Sequence, residues 1–379
     1  MTYRVRIIQF MIPHYRVAFY RKIAETPGVD AKVYYDPTWP HNSPSYPFPT
    51  EALSAYSIFG VFYWQYRTNL LDDLQRGDIL VLMGNPRCIS NILLIYQARR
   101  KGVCVIWWGI GSMPGTTQFR HRVRCKFMRR VDAVMFYNRQ DIETFRNMGL
   151  ITEKLYAADN SIDTETVDQH LQKWSPERLV AFRGEEGLAD HRILLFCGRL
   201  TMKSRLNEML TAMPAILEKH PNTRLVVIGD GEERETFKNR CKELNLEDFV
   251  HFKGAIFDQE KLVPWFRVAE AFVYPGNIGL SGVHALTCSL PVVTHDNRTN
   301  HSTEAEALIE GENSLLFKER DPEDLARCLI ELLSDRQKQA AMSQAARRVV
   351  DTKYNINNMV ENFIQAFEAV RMDKGIIAE

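Results

Sequence analysis

The sequence contains no apolar run long enough to cross a bilayer. Its first residues, MTYRVRIIQFMIPHYR, lack the long apolar core and small-residue cleavage site of a secretory leader. Those absences argue against integral membrane and exported classes, and the chain is read as cytoplasmic. Net charge is nearly absent as well, +1 over 379 residues, so no nucleic-acid partner is demanded by the balance. The seven cysteines (Cys88, Cys104, Cys125, Cys197, Cys241, Cys288, Cys328) are odd in number, scattered and never in CxxC spacing. This usage excludes a disulfide framework and the common zinc spacings, and it reads as reduced core thiols. No DxD-type pair stands in a suitable loop, so no metal and no other cofactor is expected. The turn after the first strand is free of glycine and is therefore not a dinucleotide fingerprint.

What is present is a twofold alternation of strands and helices. Tyr3 to Phe10, Ala31 to Tyr35, Ile79 to Met83 and Val103 to Trp107 read as strands, with helices over Ala18 to Glu25 and Ser90 to Arg100; Val131 to Tyr137 and Lys154 to Ala157 extend the set. Residues 162–190 are charged and aperiodic, and are read as the connector. A second round runs from Arg192 to Tyr354, and a last helix starts at Ile356. The expected fold is α/β, two doubly wound Rossmann-like domains facing across a cleft. The boundaries are 1–175, 176–354, and a helix, 355–379, crossing back to the first domain. Residues 1–175 carry 22 Lys plus Arg against 15 Asp plus Glu, and the remainder 26 against 32, so the halves have different partners. Much of the basic excess lies in Phe119 to Arg130, FRHRVRCKFMRR, whose apolar residues recur at helical spacing. Its basic face is either a contact for anionic headgroups or an ordinary solvated face, and both readings are open.

The stretch from Pro275 to Phe317 carries the most chemistry. It reads as strand end, glycine turn at Gly276 and Gly279, helix from about Ser281, buried strand Leu290 to Thr294, and acidic loop. Free amides at the start of that helix, with Ser281 as N-cap, suit a diphosphate at the carboxyl ends of parallel strands. Arg199, at the end of a predicted strand, offers a planar fork for phosphate oxygens.

Four segments, Phe196 to Leu200, Val226 to Gly231, Val250 to Gly254 and Gly279 to Phe317, resemble in order and spacing the retaining family 4 glycosyltransferases. Pro13 to Arg16, Trp108 to Gly111 and Asn160 to Asp163 are similar to a bacterial surface-polysaccharide branch of that family, lipopolysaccharide enzymes included. The resemblance implies a GT-B fold, a nucleotide-diphosphate sugar held by the second domain, and a glycan or lipid-linked acceptor held by the first. It also implies metal-independent hexosyl transfer with retention, at the inner face of the cytoplasmic membrane.

Carried over residue by residue, the resemblance implies catalytic roles for Arg199, Lys203 and Glu306. The family's lysine aligns with Ser204, between Lys203 and Arg205, and Glu304 is the alternative to Glu306. Donor contacts are implied for Gly198, Arg205, Gly229, Gly254, Ala255, Ile256, Gly279, Leu280, Ser281, His284 and Glu304. His14, Arg16, Trp108 and Gly109 are expected on the acceptor side; for His14 a structural role is equally open. The chain departs from the family at Gly276 and His284, where typical members carry glutamates, and at Ile110, where branch relatives often carry histidine. His284 can hydrogen-bond a ribose hydroxyl but cannot act as a carboxylate. Two further readings stay open, a catalytically degenerate binding protein and an epimerase or hydrolase on the same fold. The cluster His295, Asp296, His301, Glu304 and Glu306 is too irregularly spaced for a metal site.

Overall fold

The computed structural model describes residues 2–40, 42–43, 45–111, 117–149 and 154–376. They fold as two compact units, the first comprising Met1–Asp163 with Ile356–Glu379 and the second Thr164–Asn355.

The first unit is built on strands β1 (Tyr3–Ile8), β2 (Val29–Tyr35), β3 (Thr50–Ala52), β4 (Ala55–Ile58), β5 (Phe62–Gln65), β6 (Ile79–Met83), β7 (Cys104–Gly109), β8 (Ala133–Phe136) and β9 (Leu155–Ala157). Seven of them make one parallel sheet in the order β3-β2-β1-β6-β7-β8-β9, while β4 and β5 form a separate antiparallel hairpin. The central strands are apolar on both faces, Ile79 to Leu82 and Val105 to Trp107 being fully buried, as a sheet covered by crossover helices requires. One cover is the helix Val17–Glu25, whose Phe19, Tyr20 and Ile23 enter the core. Another is the last helix, Ile356–Asp373, whose Met359, Phe363 and Phe367 join the same core. Its C-terminal end is fixed by Arg371, which donates to the Gly77 carbonyl at 3.1 Å, and by Lys374, 3.0 Å from Asp132.

The second unit has strands β10 (Arg192–Cys197), β11 (Thr223–Ile228), β12 (Val250–Gly254), β13 (Ala271–Tyr274), β14 (Val292–His295) and β15 (Ser314–Phe317). All are parallel, in the order β12-β11-β10-β13-β14-β15. The order reverses between β10 and β13, so the crevice outside their carboxyl ends is the topological switch point of this sheet. Residues 162–190, read from sequence as an irregular connector, instead contain the helices Thr164–Leu171 and Pro176–Glu185. The second is capped by Ser175, whose hydroxyl accepts from the Arg178 amide, with Pro176 in the first turn. Its core-facing side is too weakly patterned to show as a period, since none of its residues is buried.

Candidate functional site

At the switch point of the second unit, glycines replace side chains because backbones meet there. The Gly198 amide donates to the Ile228 carbonyl at 2.9 Å, and the Gly229 amide to the Gly254 carbonyl at 2.8 Å. Gly229 has φ +146°, and a Cβ on it would run into the Gly198 carbonyl oxygen. The turns after β10, β11 and β12 are thereby laced into one rim. Arg199 leaves this rim exposed, with no ion-pair partner among the described residues. Ala255 is exposed and Ile256 half-buried just beyond β12.

The next loop supplies a second cation. Lys203 is exposed, while its carbonyl lies over Gly276 and accepts from the Asn277 amide at 3.3 Å. A Cβ at position 276 would strike that carbonyl oxygen, so the Lys203–Ser204 turn fills the space of the missing family glutamate. Ser204, the residue aligned with the family's lysine, is buried and donates its hydroxyl to the Thr201 carbonyl at 2.6 Å. Arg205 is not a free donor-binding cation. Held at φ +51°, it places Nη2 2.6 Å from Glu319. Burial raises the Glu319 pKa, but hydrogen bonds from Asn297, Asn300 and Arg205 outweigh it and hold the carboxyl down to about 2. Glu319 was not singled out from sequence; its signal is an acid following a buried strand, which many surface turns share.

The helix Leu280–Thr287 begins one residue before the expected cap. Gly279 is the N-cap (φ −144°, ψ −128°) and Ser281 lies inside the first turn. Among the described residues the amides of Leu280 and Ser281 have no protein acceptor, leaving donors for an anion. Glu304 is buried beside this start, its Oε2 3.4 Å from where a Gly279 Cβ would stand, and Ser302 bonds to Asn277 at 2.7 Å. Glu306 lies 3.6 Å from Lys353 instead. Of the two candidates, Glu304 is therefore the one at the helix start.

His284, expected to meet a ribose hydroxyl, is enclosed. Its ring stacks on Phe266 at 4.4 Å, Nε2 has no hydrogen-bond partner among the described residues, and burial lowers its pKa to about 4. The surroundings are apolar, so the neutral form is the one that packs there. His301 accepts from the Ile278 amide through Nδ1 at 3.3 Å, so its Nε2–H donates to the His295 carbonyl at 2.8 Å. That single tautomer ties the glycine turn to the end of β14. Among the described residues no three His, Cys, Asp or Glu side chains converge as metal ligands.

In the first unit a cavity of about 590 Å³ opens at the carboxyl ends of β6, β7 and β8. Its lining includes Trp108, Gly109, Ile110, Tyr137, Phe62 and Arg124. Gly109 is obligatory because a Cβ would stand 2.8 Å from the Gly84 Cα. His14 is exposed, as a contact residue requires. Arg16 differs from the acceptor contact expected of it, being only 3% exposed; its guanidinium lies 5.0 Å from the Trp108 ring and 5.1 Å from that of Tyr137. It supports the cavity's aromatic floor from beneath. The basic segment is the helix Gln118–Met128; Cys125 and Met128 face inward, whereas Phe119, expected on the packed face, is exposed.

Residues 181–349, most of the second unit, match the family model for glycosyl transferases group 1. Over these residues the second unit is similar to that family. An uncharacterized glycosyltransferase of Methanocaldococcus jannaschii is 26% identical over 220 residues, 57% of this chain and 54% of that protein. A poly(glycerol-phosphate) alpha-glucosyltransferase of Bacillus subtilis is 24% identical over 256 residues, 67% of this chain and 35% of its own length. The chain thus spans about half the length, or less, of these curated relatives. Among solved structures, an Anabaena protein in complex with UDP superposes with a TM-score of 0.74 at 15% identity, covering 97% of this chain and all of that one. This likeness extends over both units, and the fold is GT-B.

Proposed function

We propose that the protein is a retaining glycosyltransferase that moves a hexose from a nucleotide-diphosphate sugar to a glycan or lipid-linked acceptor of a surface polysaccharide. The observation carrying this reading is the switch-point rim, where Arg199 and Lys203, both exposed, follow β10, and the Leu280 and Ser281 amides, without a protein acceptor among the described residues, follow β13. Negative charge grows on the diphosphate as the glycosidic bond breaks, and fixed cations and amides aimed at it lower the barrier. UDP is the favoured carrier, supported by the Anabaena likeness. A departing phosphate oxygen stabilised in this way takes the acceptor proton on the same face, so neither a protein base nor a metal is required. Work at the cytoplasmic face of the membrane follows from the lipid-linked acceptor.

Thermal shifts with UDP, GDP and their sugars should single out one nucleotide, and release of that nucleotide should require acceptor. Arg199→Ala should cut turnover roughly 10²-fold or more while leaving the fold intact. Wild-type turnover in this variant would sink the assignment. The occupied space over Gly276 and the enclosed His284 favour one second reading, a nucleotide-binding protein without turnover. A nucleotide shift with no transfer across a broad acceptor panel would establish it.

A further inference from the structure

The hairpin β4–β5 is docked firmly at its base and bare at its tip. At the base the Ala55 amide donates to Asp36 at 2.8 Å, and buried Gln65 donates to the carbonyls of Gln9 at 2.8 Å and Leu53 at 3.0 Å. At the tip Phe59 is 94% exposed, and Tyr56, Val61 and Phe62 are exposed with it. The two turn residues, Phe59 and Gly60, have φ +53° and +66°, and the Val61 amide donates to the Ile58 carbonyl at 3.2 Å. Two positive φ values mark a type I′ turn, whose first position favours Asn, Asp or Gly and disfavours a bulky residue. A phenylalanine here is therefore unfavourable twice over, in backbone strain and in hydration, which points to a use outside the folded chain.

The neighbouring surface says what that use is. Phe62 lines the same cavity as Phe119, Arg120, Val123 and Arg124 of the helix Gln118–Met128, and as Arg87. The helix contains no acidic residue, Phe119 is exposed on it, and Arg120, Arg122 and Lys126 are exposed without an ion-pair partner among the described residues. Aromatic and aliphatic side chains beside uncompensated arginines match the boundary between acyl chains and anionic headgroups. We infer that the tip Phe59–Phe62 inserts into an anionic bilayer while the helix Gln118–Met128 rests on its headgroups. The contact deepens the lipid-linked reading above, yet it uses only residues of the first unit.

The test is sedimentation of the purified full chain with vesicles of phosphatidylcholine alone and with added phosphatidylglycerol, at low and high salt. The wild type should partition onto the phosphatidylglycerol vesicles, less onto phosphatidylcholine and less at high salt. Phe59→Asn should lower partition roughly tenfold or more, as expected for withdrawing one aromatic side chain from an apolar medium. Its thermal midpoint should stay level or rise, because Asn-Gly is the preferred I′ pair. Arg120→Gln with Arg122→Gln should weaken binding to the anionic vesicles selectively. A wild-type chain left in the supernatant, or a Phe59→Asn chain that sediments like wild type, overturns the inference. Phe59-dependent self-association without vesicles overturns it too, in favour of a second copy. A UDP thermal shift on the same samples separates the two readings: an intact shift with no vesicle binding counts against the membrane contact alone.

Discussion

His295 and His284 show how single residues in the second unit set its response to acid. Both are buried, and burial lowers each pKa to about 4. In the unfolded chain an imidazole titrates near 6.5. Between those values the unfolded state binds the extra proton, so stability is complete above about pH 6.5 and falls as pH drops towards 4. Each such histidine contributes about 1.4 kcal/mol per pH unit inside that window. Among the described residues both ring nitrogens of His295 lack partners, and its ring stacks on His301 at 3.7 Å. His295→Phe should therefore leave stability at pH 7.5 nearly unchanged and reduce the slope between pH 6.5 and 5 by about one proton's worth. Urea midpoints measured across that range decide it, and an unchanged slope would remove His295 as a titrating group.

At the scale of elements, the turn after β10 and the turn after β13 behave as one piece. Restoring the family's glutamate by Gly276→Glu should not rescue a carboxylate function. The new Cβ meets the Lys203 carbonyl, and moving that turn disturbs Arg205 and its pair with Glu319. The expected cost is about 1–3 kcal/mol, as for other overpacked sites, together with weaker UDP binding. A variant that binds UDP more tightly at unchanged stability would contradict this account. Much of this architecture was legible beforehand, because strands buried on both faces read as apolar runs; Ile79–Met83 stands where the sequence places it, and the second round of strands and helices opens at Arg192 as expected. The hairpin β4–β5 was not legible, since its turn is Phe-Gly and its tip does not alternate apolar with polar. The glycine rim was readable as a rim. Which of Lys203, Ser204 and Arg205 points outward was not, because it depends on Glu319, more than a hundred residues further along.

The scale of the whole molecule adds a constraint from chain order. The second unit is continuous, Thr164–Asn355, whereas the first is closed by a helix that follows it in sequence. That helix places Met359, Phe363, Phe367 and Val370, all fully buried, among Val5, Ile7 and Phe19 in one core. Removing several such side chains costs about 2–5 kcal/mol each, comparable to the stability of an entire domain. A chain ending at residue 355 should therefore lose the first unit's cooperative unfolding transition and expose apolar surface. An isolated fragment 164–355 should retain a cooperative transition of its own, because its sheet and helices all lie within it. Calorimetry of the two truncated chains beside the full one, each with and without UDP, reads both outcomes. The fragment's transition should move upward with UDP if the switch-point rim alone holds the nucleotide. A cooperative first-unit transition surviving in the 1–355 chain would show that the final helix is an accessory to that core.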